Sequence, residues 1–223
     1  MVIKAIIFDL WDTLVFSEFT FKTHKKFQSV LKISSKEKFW ELWEKTCCLK
    51  RVKDKYEMIS NLCELAGFKN NEKLINNLIE IWDNEVYTSP IYPEAISVLK
   101  KLKEKYKLAL ISNTEQISAE YVIEKYNLKE YFDVIILSCD VGSLKPNPKI
   151  FKIALKKLKT KPGETLMVGD SFKNDIIGAK KLRIKTVWIN RKNKTLPNTK
   201  EADFIIKNLT ELIPILEKLE EKK

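Results

Sequence analysis

Apolar and polar positions alternate along this chain in two kinds of run. Short, nearly continuous apolar stretches occupy residues 3–9, "KLALISN" (107–113), "FDVIILS" (132–138), "TLMVGDS" (165–171), "IKTVWIN" (184–190) and "DFIIK" (203–207). Each is the length of a strand and carries the apolar run expected of one buried on both faces. Between them lie segments with apolar residues at helical spacing: "EAISVLKKLKEKY", "QISAEYVIEKYNL", "NPKIFKIALKKL", "FKNDIIGAKKL" and a last helix from about residue 209. The strand–helix alternation predicts an α/β fold, a Rossmann-like parallel sheet with helices on both faces.

One stretch breaks the alternation. From about 17 to 87 the pattern is helical throughout, with no convincing strand. "SSKEKFWELWEKTCCLK" places Phe39, Trp40, Trp43 and Cys47 on a helical stripe behind a serine cap. "YEMISNLCELAGF" repeats the pattern until Gly67 stops it, and "NEKLINNLIEIWDNEVY" adds another helix. Residues 1–16 and 88–223 are therefore expected to form the α/β core, with 17–87 inserted after its first strand. The loop "NRKNKTLPNTKEA" is polar and expected to be exposed.

Composition changes this picture little. At 223 residues and 44% apolar the chain can bury a full core. No apolar run is long enough for a membrane span, and the apolar N-terminal run lacks a cleavage-site pattern, so a cytoplasmic protein is expected. Four cysteines, Cys47, Cys48, Cys63 and Cys139, form no C-x-x-C pair and read as reduced thiols. The net charge of +11 comes almost wholly from lysines scattered beside glutamates, with only three arginines among 41 basic residues. Such a field attracts anions in general but is not the clustered, arginine-rich face of a nucleic-acid reader, so no nucleic-acid partner is expected.

In a parallel sheet, ligands bind beyond the carboxyl ends of the strands. Those ends carry Asp9, Ser112-Asn113 and Asp170, and the loop after the strand at 132–138 carries Lys145. Taken singly, each has a plain structural reading as a helix cap, a turn or a solvated loop residue. Together they make the parts list for phosphoryl transfer to a carboxylate. Asp9 would be the nucleophile. Asp170, with Asp175 behind it, would hold a hard divalent cation such as Mg²⁺. Ser112, Asn113 and Lys145 would meet the phosphoryl oxygens.

The motifs "FDLWDTL", "ISNT", "LKPNPKIF" and "VGDSFKNDIIGA" resemble the four motifs of the haloacid dehalogenase-like (HAD) hydrolase superfamily, and residues 17–87 sit where that family places a helical cap. The resemblance implies an Mg²⁺-dependent phosphatase of small phosphorylated metabolites working through an aspartyl-phosphate on Asp9. It implies that Ser112 and Lys145 contact the phosphoryl group, that Asp170 and the Trp11 backbone carbonyl ligate the metal, and that Asp175 supports them. One position departs from the pattern. Phosphatases of this superfamily usually have a second aspartate two residues after the nucleophile as acid and base; here it is Trp11, and Asp12 follows. Asp12, a metal-bound water or a good leaving group would have to compensate. A 2-haloacid dehalogenase, whose halide leaves without a proton, and a catalytically impaired binding protein are the alternatives. The single histidine, His24, reads as surface or cap packing. Cap aromatics Phe16, Phe19, Phe39, Trp40, Trp43 and Trp82 read mostly as core, with one or two facing the cleft. Oligomeric state is not legible.

Overall fold

A computed structural model describes residues 2–85, 89–195 and 200–221. Every apolar run expected to be a strand contains one: β1 (Ala5–Phe8), β2 (Lys107–Ser112), β3 (Val134–Leu137), β4 (Thr165–Gly169), β5 (Lys185–Ile189) and β6 (Phe204–Ile206). They form one wholly parallel sheet in the order β3-β2-β1-β4-β5-β6. The order reverses between β1 and β4, which makes their carboxyl ends the topological switch point. Register then places the chemistry, since Phe8 pairs with Leu110 on one side and Val168 on the other. One residue on stands Asp9, and two residues on stand Ser112 and Asp170, all at the carboxyl edge of the sheet.

Because side chains alternate across a strand, each strand feeds two layers. Ile6, Phe8, Leu108 and Leu110 join the cluster completed by α5 (Ala95–Lys103), α6 (Gln116–Lys125) and α10 (Leu212–Glu221). Ala5, Ile7, Ala109 and Met167 join the cluster made with α8 (Pro148–Leu158) and the short α9 (Gly178–Lys180).

The helical insert comprises α1 (Glu18–Val30), α2 (Lys36–Trp43), a π-helical turn (Glu44–Cys48), α3 (Lys55–Leu65) and α4 (Glu72–Glu85). Ser35 caps α2 by accepting from the Lys38 N–H, and Gly67, at φ +93°, ends α3 as anticipated. Its hydrophobic cluster is separate from those of the sheet and centres on Phe27, Phe39, Trp43 and Trp82. The Trp43 and Trp82 rings stack at 5.6 Å. Ile117 and Leu144 of the α/β part pack against this cluster. Polar links join the two parts as well: Gln116 exchanges hydrogen bonds with both backbone groups of Val52, and Arg51 pairs with Glu120 at 2.7 Å and Asp140 at 2.5 Å. The expected boundary at 87/88 and the side chain of Phe19 lie outside the described residues.

Three local features differ from expectation. The segment "FKNDIIGAKKL" starts as a π-helical turn, Phe172–Ile177, before α9. Ser171 causes this, because its carbonyl accepts from both Asp175 and Ile176 and the turn widens around it. A one-turn helix, α7 (Ser138–Val141), follows β3, and a 3₁₀ turn (Leu209–Glu211) precedes α10. Among the described residues no helix is long and apolar enough to cross a membrane.

Candidate active site

Asp9 follows β1 directly and is 6% exposed at the floor of a cavity of about 570 Å³ between the sheet edge and the helical insert. Lys145 reaches it from the loop before α8: its Nζ donates to Asp9 Oδ1 at 2.5 Å and to the Ile111 carbonyl at 2.9 Å. The same ammonium lies 2.6 Å from Asp175 Oδ1, an ion pair without hydrogen-bond alignment. Asp170 lies at the end of β4, where its carboxylate pairs with Lys194 at 3.2 Å. One oxygen from each of Asp9, Asp170 and Asp175 falls within 4.8 Å of the others.

The electrostatics follow from that crowding. Burial pushes the Asp9 carboxyl up, against the pull of Lys145 and with a further push from Asp175. Burial and then Asp9 push Asp170 up to about 6. Asp175 is raised too, chiefly by burial. Burial lowers the Lys145 ammonium, but Asp175 and Asp9 more than offset this and leave it raised, so it is a fixed charge. Three carboxylates therefore share one buried ammonium, with Lys194 at the rim. The deficit of positive charge and the all-oxygen donor set fit a hard divalent cation.

Asp175 is held by neighbours that sequence reasoning passed over. Its Oδ2 accepts from the Ser171 N–H at 2.9 Å, closing the widened turn. It lies so near the end of β4 that a Cβ on Gly169 would sit 2.3 Å from that oxygen. Gly169 is thus required by close approach of a carboxylate, not by its backbone angles. The "VGDS" string contains that residue, but only the fold brings Asp175 back over it.

The other expected residues divide. Asn113 does not point its amide at the cavity centre: it bonds reciprocally to the Lys145 backbone, at 2.8 and 2.7 Å, and so positions that lysine. Ser112 Oγ is fully buried without a hydrogen-bond partner and lies behind the cavity-lining side chains. The Trp11 indole N–H donates to Thr114 Oγ1 at 3.0 Å. Asp12 adopts the left-handed conformation, φ +55°, which aspartate tolerates better than most side chains. Its oxygens accept from the Ser17 N–H at 3.2 Å and pair with Lys192 at 3.1 Å. Thr13 Oγ1 stands 3.5 Å from Asp9 Oδ2. His24 is packed within the helical insert, as expected, yet it also lines the cavity, with Trp40 and Trp43 beside it. Phe39 and Trp82 are core. All four cysteines are buried thiols.

Residues 3–183 match the model of one protein family, described as haloacid dehalogenase-like hydrolase. The chain belongs to the haloacid dehalogenase-like hydrolases. This hydrolase is 36% identical to the glyceraldehyde 3-phosphate phosphatase of Pyrococcus furiosus over 125 residues, 55% of this chain and 52% of that one. It spans between half and two thirds of the length of the curated relatives it matches. Among solved structures it resembles an HAD phosphatase from Thermococcus onnurineus, with a TM-score of 0.67, 29% identity, and coverage of 96% of this chain and 98% of that one. A 2-haloacid dehalogenase from Pseudomonas syringae pv. Tomato shares its fold, with a TM-score of 0.72 at 24% identity, covering 98% of this chain and all of the other.

Proposed function

We propose that this hydrolase is a phosphomonoesterase of small phosphorylated metabolites, with Asp9 as nucleophile, Mg²⁺ as cofactor and residues 17–87 as a cap over the site. The observation that carries the reading is the buried cluster of Asp9, Asp170 and Asp175 around Lys145 at the switch point of the sheet. Asp9, Asp170 and the Trp11 backbone carbonyl would hold the cation, with Asp175 supporting them. When bound, the cation screens the carboxylates from the incoming phosphate.

An Asp9 carboxylate oxygen attacks phosphorus, and the bond from phosphorus to the ester oxygen breaks with its electron pair. Lys145 offers its charge to the phosphoryl oxygens and Asn113 keeps it in place, while Ser112, buried and not lining the cavity, is given no direct part. Water then attacks the aspartyl-phosphate and releases inorganic phosphate. The leaving oxygen needs a proton, and the Trp11 N–H is engaged by Thr114. We assign the acid and base steps to Asp12, which lines the cavity next to Trp11 and must release Lys192 to act. A dehalogenase reading would leave Asp170 and Asp175 without a task, and a pure binding role would leave the nucleophile–lysine pair without one.

The test is phosphate release from a panel of phosphoesters, with glyceraldehyde 3-phosphate included, in the presence and absence of Mg²⁺. Activity is expected to require Mg²⁺ and to vanish in Asp9→Asn. Metal-independent turnover, or an unimpaired Asp9→Asn protein, would overturn the assignment.

A further inference from the structure

The acids on the cavity wall have counterparts, with one exception. Asp9 and Asp175 share Lys145, Asp170 pairs with Lys194, Asp12 pairs with Lys192, and Glu115 accepts from Ser118. Glu44 lines the same cavity and is half-buried, yet it has no hydrogen bond or ion pair among the described residues. Burial raises its carboxyl above the ordinary range, and Lys173 offsets this only in part, without forming a salt bridge. An ionised group taken partly out of water with no partner works against the fold, and a neutral side chain would avoid that cost. The helix also widens at this residue into the π-helical turn Glu44–Cys48, a departure that frequently marks functional positions.

Glu44 follows Trp40 by four residues, so the two side chains are neighbours on one helix face. Trp40 is half-buried as well and lines the cavity. A carboxylate beside an indole attracts cations twice over, through its charge and through the ring face. A second anionic group on a substrate would be repelled by Glu44, and a plain alkyl chain would leave it unpaired. Lys36 begins the same face one turn before Trp40 and is engaged in a contact of its own, so a cation falls on the Glu44 side of the indole. We propose that the leaving group of the substrate carries an ammonium group, which pairs with Glu44 and rests on Trp40. The proposal rests on the phosphomonoesterase reading for the other half of the molecule, in which the phosphate lies at Asp9. Glu44 and Trp40 are specificity residues in this scheme and take no part in bond breaking.

The experiment is isothermal titration of the Asp9→Asn protein with Mg²⁺ present. The ligands are ethanolamine phosphate, aminopropyl phosphate and choline phosphate, each paired with the neutral isostere in which carbon replaces nitrogen. At least one ammonium ester is expected to bind tenfold or more tightly than its isostere. That advantage is expected to fall below threefold when Glu44→Gln is added and to survive in part with Glu44→Asp, which keeps the charge. Trp40→Leu is expected to reduce it as well and serves if the Glu44 variants fail to fold. Lys173→Gln, which removes the competing lysine, is expected to preserve or increase it. Equal binding of every ester and its isostere, or an advantage untouched by both Glu44→Gln and Trp40→Leu, would overturn the proposal. So would a Glu44→Gln protein that binds both members of each pair more weakly by the same factor, with Lys173→Gln doing likewise, since Glu44 and Lys173 would then form a latch across the mouth. An ammonium advantage in binding without phosphate release from any ester by the unmutated enzyme would overturn the hydrolase reading and leave the subsite standing. Phosphate release with no ammonium advantage would do the reverse.

Discussion

Replacing Gly169 by alanine tests how the site is assembled without touching a reactive group. The added Cβ would stand 2.3 Å from Asp175 Oδ2, 2.4 Å from its Cγ and 2.7 Å from its Cβ. No rotamer adjustment of a flexible side-chain end removes all three contacts, because the nearest atoms belong to a short, fully buried residue. Either β4 shifts away from the turn that carries Asp175, or Asp175 swings out and loses the Ser171 N–H and Lys145. Overpacking of this kind costs about 1–3 kcal/mol. For a chain of this length that lowers the melting temperature by roughly 2–4 °C per kcal/mol. Activity should suffer more, since displacement of a positioning group by about 1 Å can cost ~10²-fold. Thermal unfolding by circular dichroism and phosphate release would be measured for Gly169→Ala, Asp175→Ala and the double variant. Asp175→Ala removes the two shortest contacts, so the double variant should be more stable than the sum of the single effects by about 1 kcal/mol or more. Strict additivity, or a Gly169→Ala enzyme with unchanged melting temperature and rate, would refute the close-approach argument.

The remaining predictions concern charge. Burial raises the Glu115 carboxyl from its ordinary 4.5 to about 7, so its favourable contribution is complete below pH 4.5 and is lost as pH rises through 7. That loss amounts to about 3 kcal/mol, and urea titrations of Glu115→Gln should show a correspondingly flatter stability profile across this window. Asp12→Asn keeps the left-handed geometry and the acceptor for Ser17, so its stability should stay within about 0.5 kcal/mol of the parent. The step that forms the aspartyl-phosphate should slow ~10²–10⁴-fold for alkyl phosphates while the burst of p-nitrophenolate from p-nitrophenyl phosphate is spared, and an equal effect on both would remove the acid role. Arg51→Ala breaks half-exposed pairs to Glu120 and Asp140 and should cost no more than about 1 kcal/mol in thermal unfolding.

Much of this molecule is legible along the chain because its signals are local. A buried strand needs a run of apolar residues whatever surrounds it, so all six strands could be read from short windows, and their alternation with helices gave the parallel sheet. The same holds for Asp9, Asp170 and Lys145, which announce themselves by standing at strand ends or in the loop after one. Tertiary structure decided what depends on residues distant in sequence. The strand order made the Asp9 and Asp170 ends neighbours across 160 residues. The widened turn at Ser171 brought Asp175 over Gly169, and the fold turned Asn113 from a ligand candidate into a brace for Lys145. It also moved His24 from the background to a cavity wall. A lone histidine on a helix carries no local mark of its surroundings, because burial and an unmet hydrogen bond are properties of the space that other segments enclose.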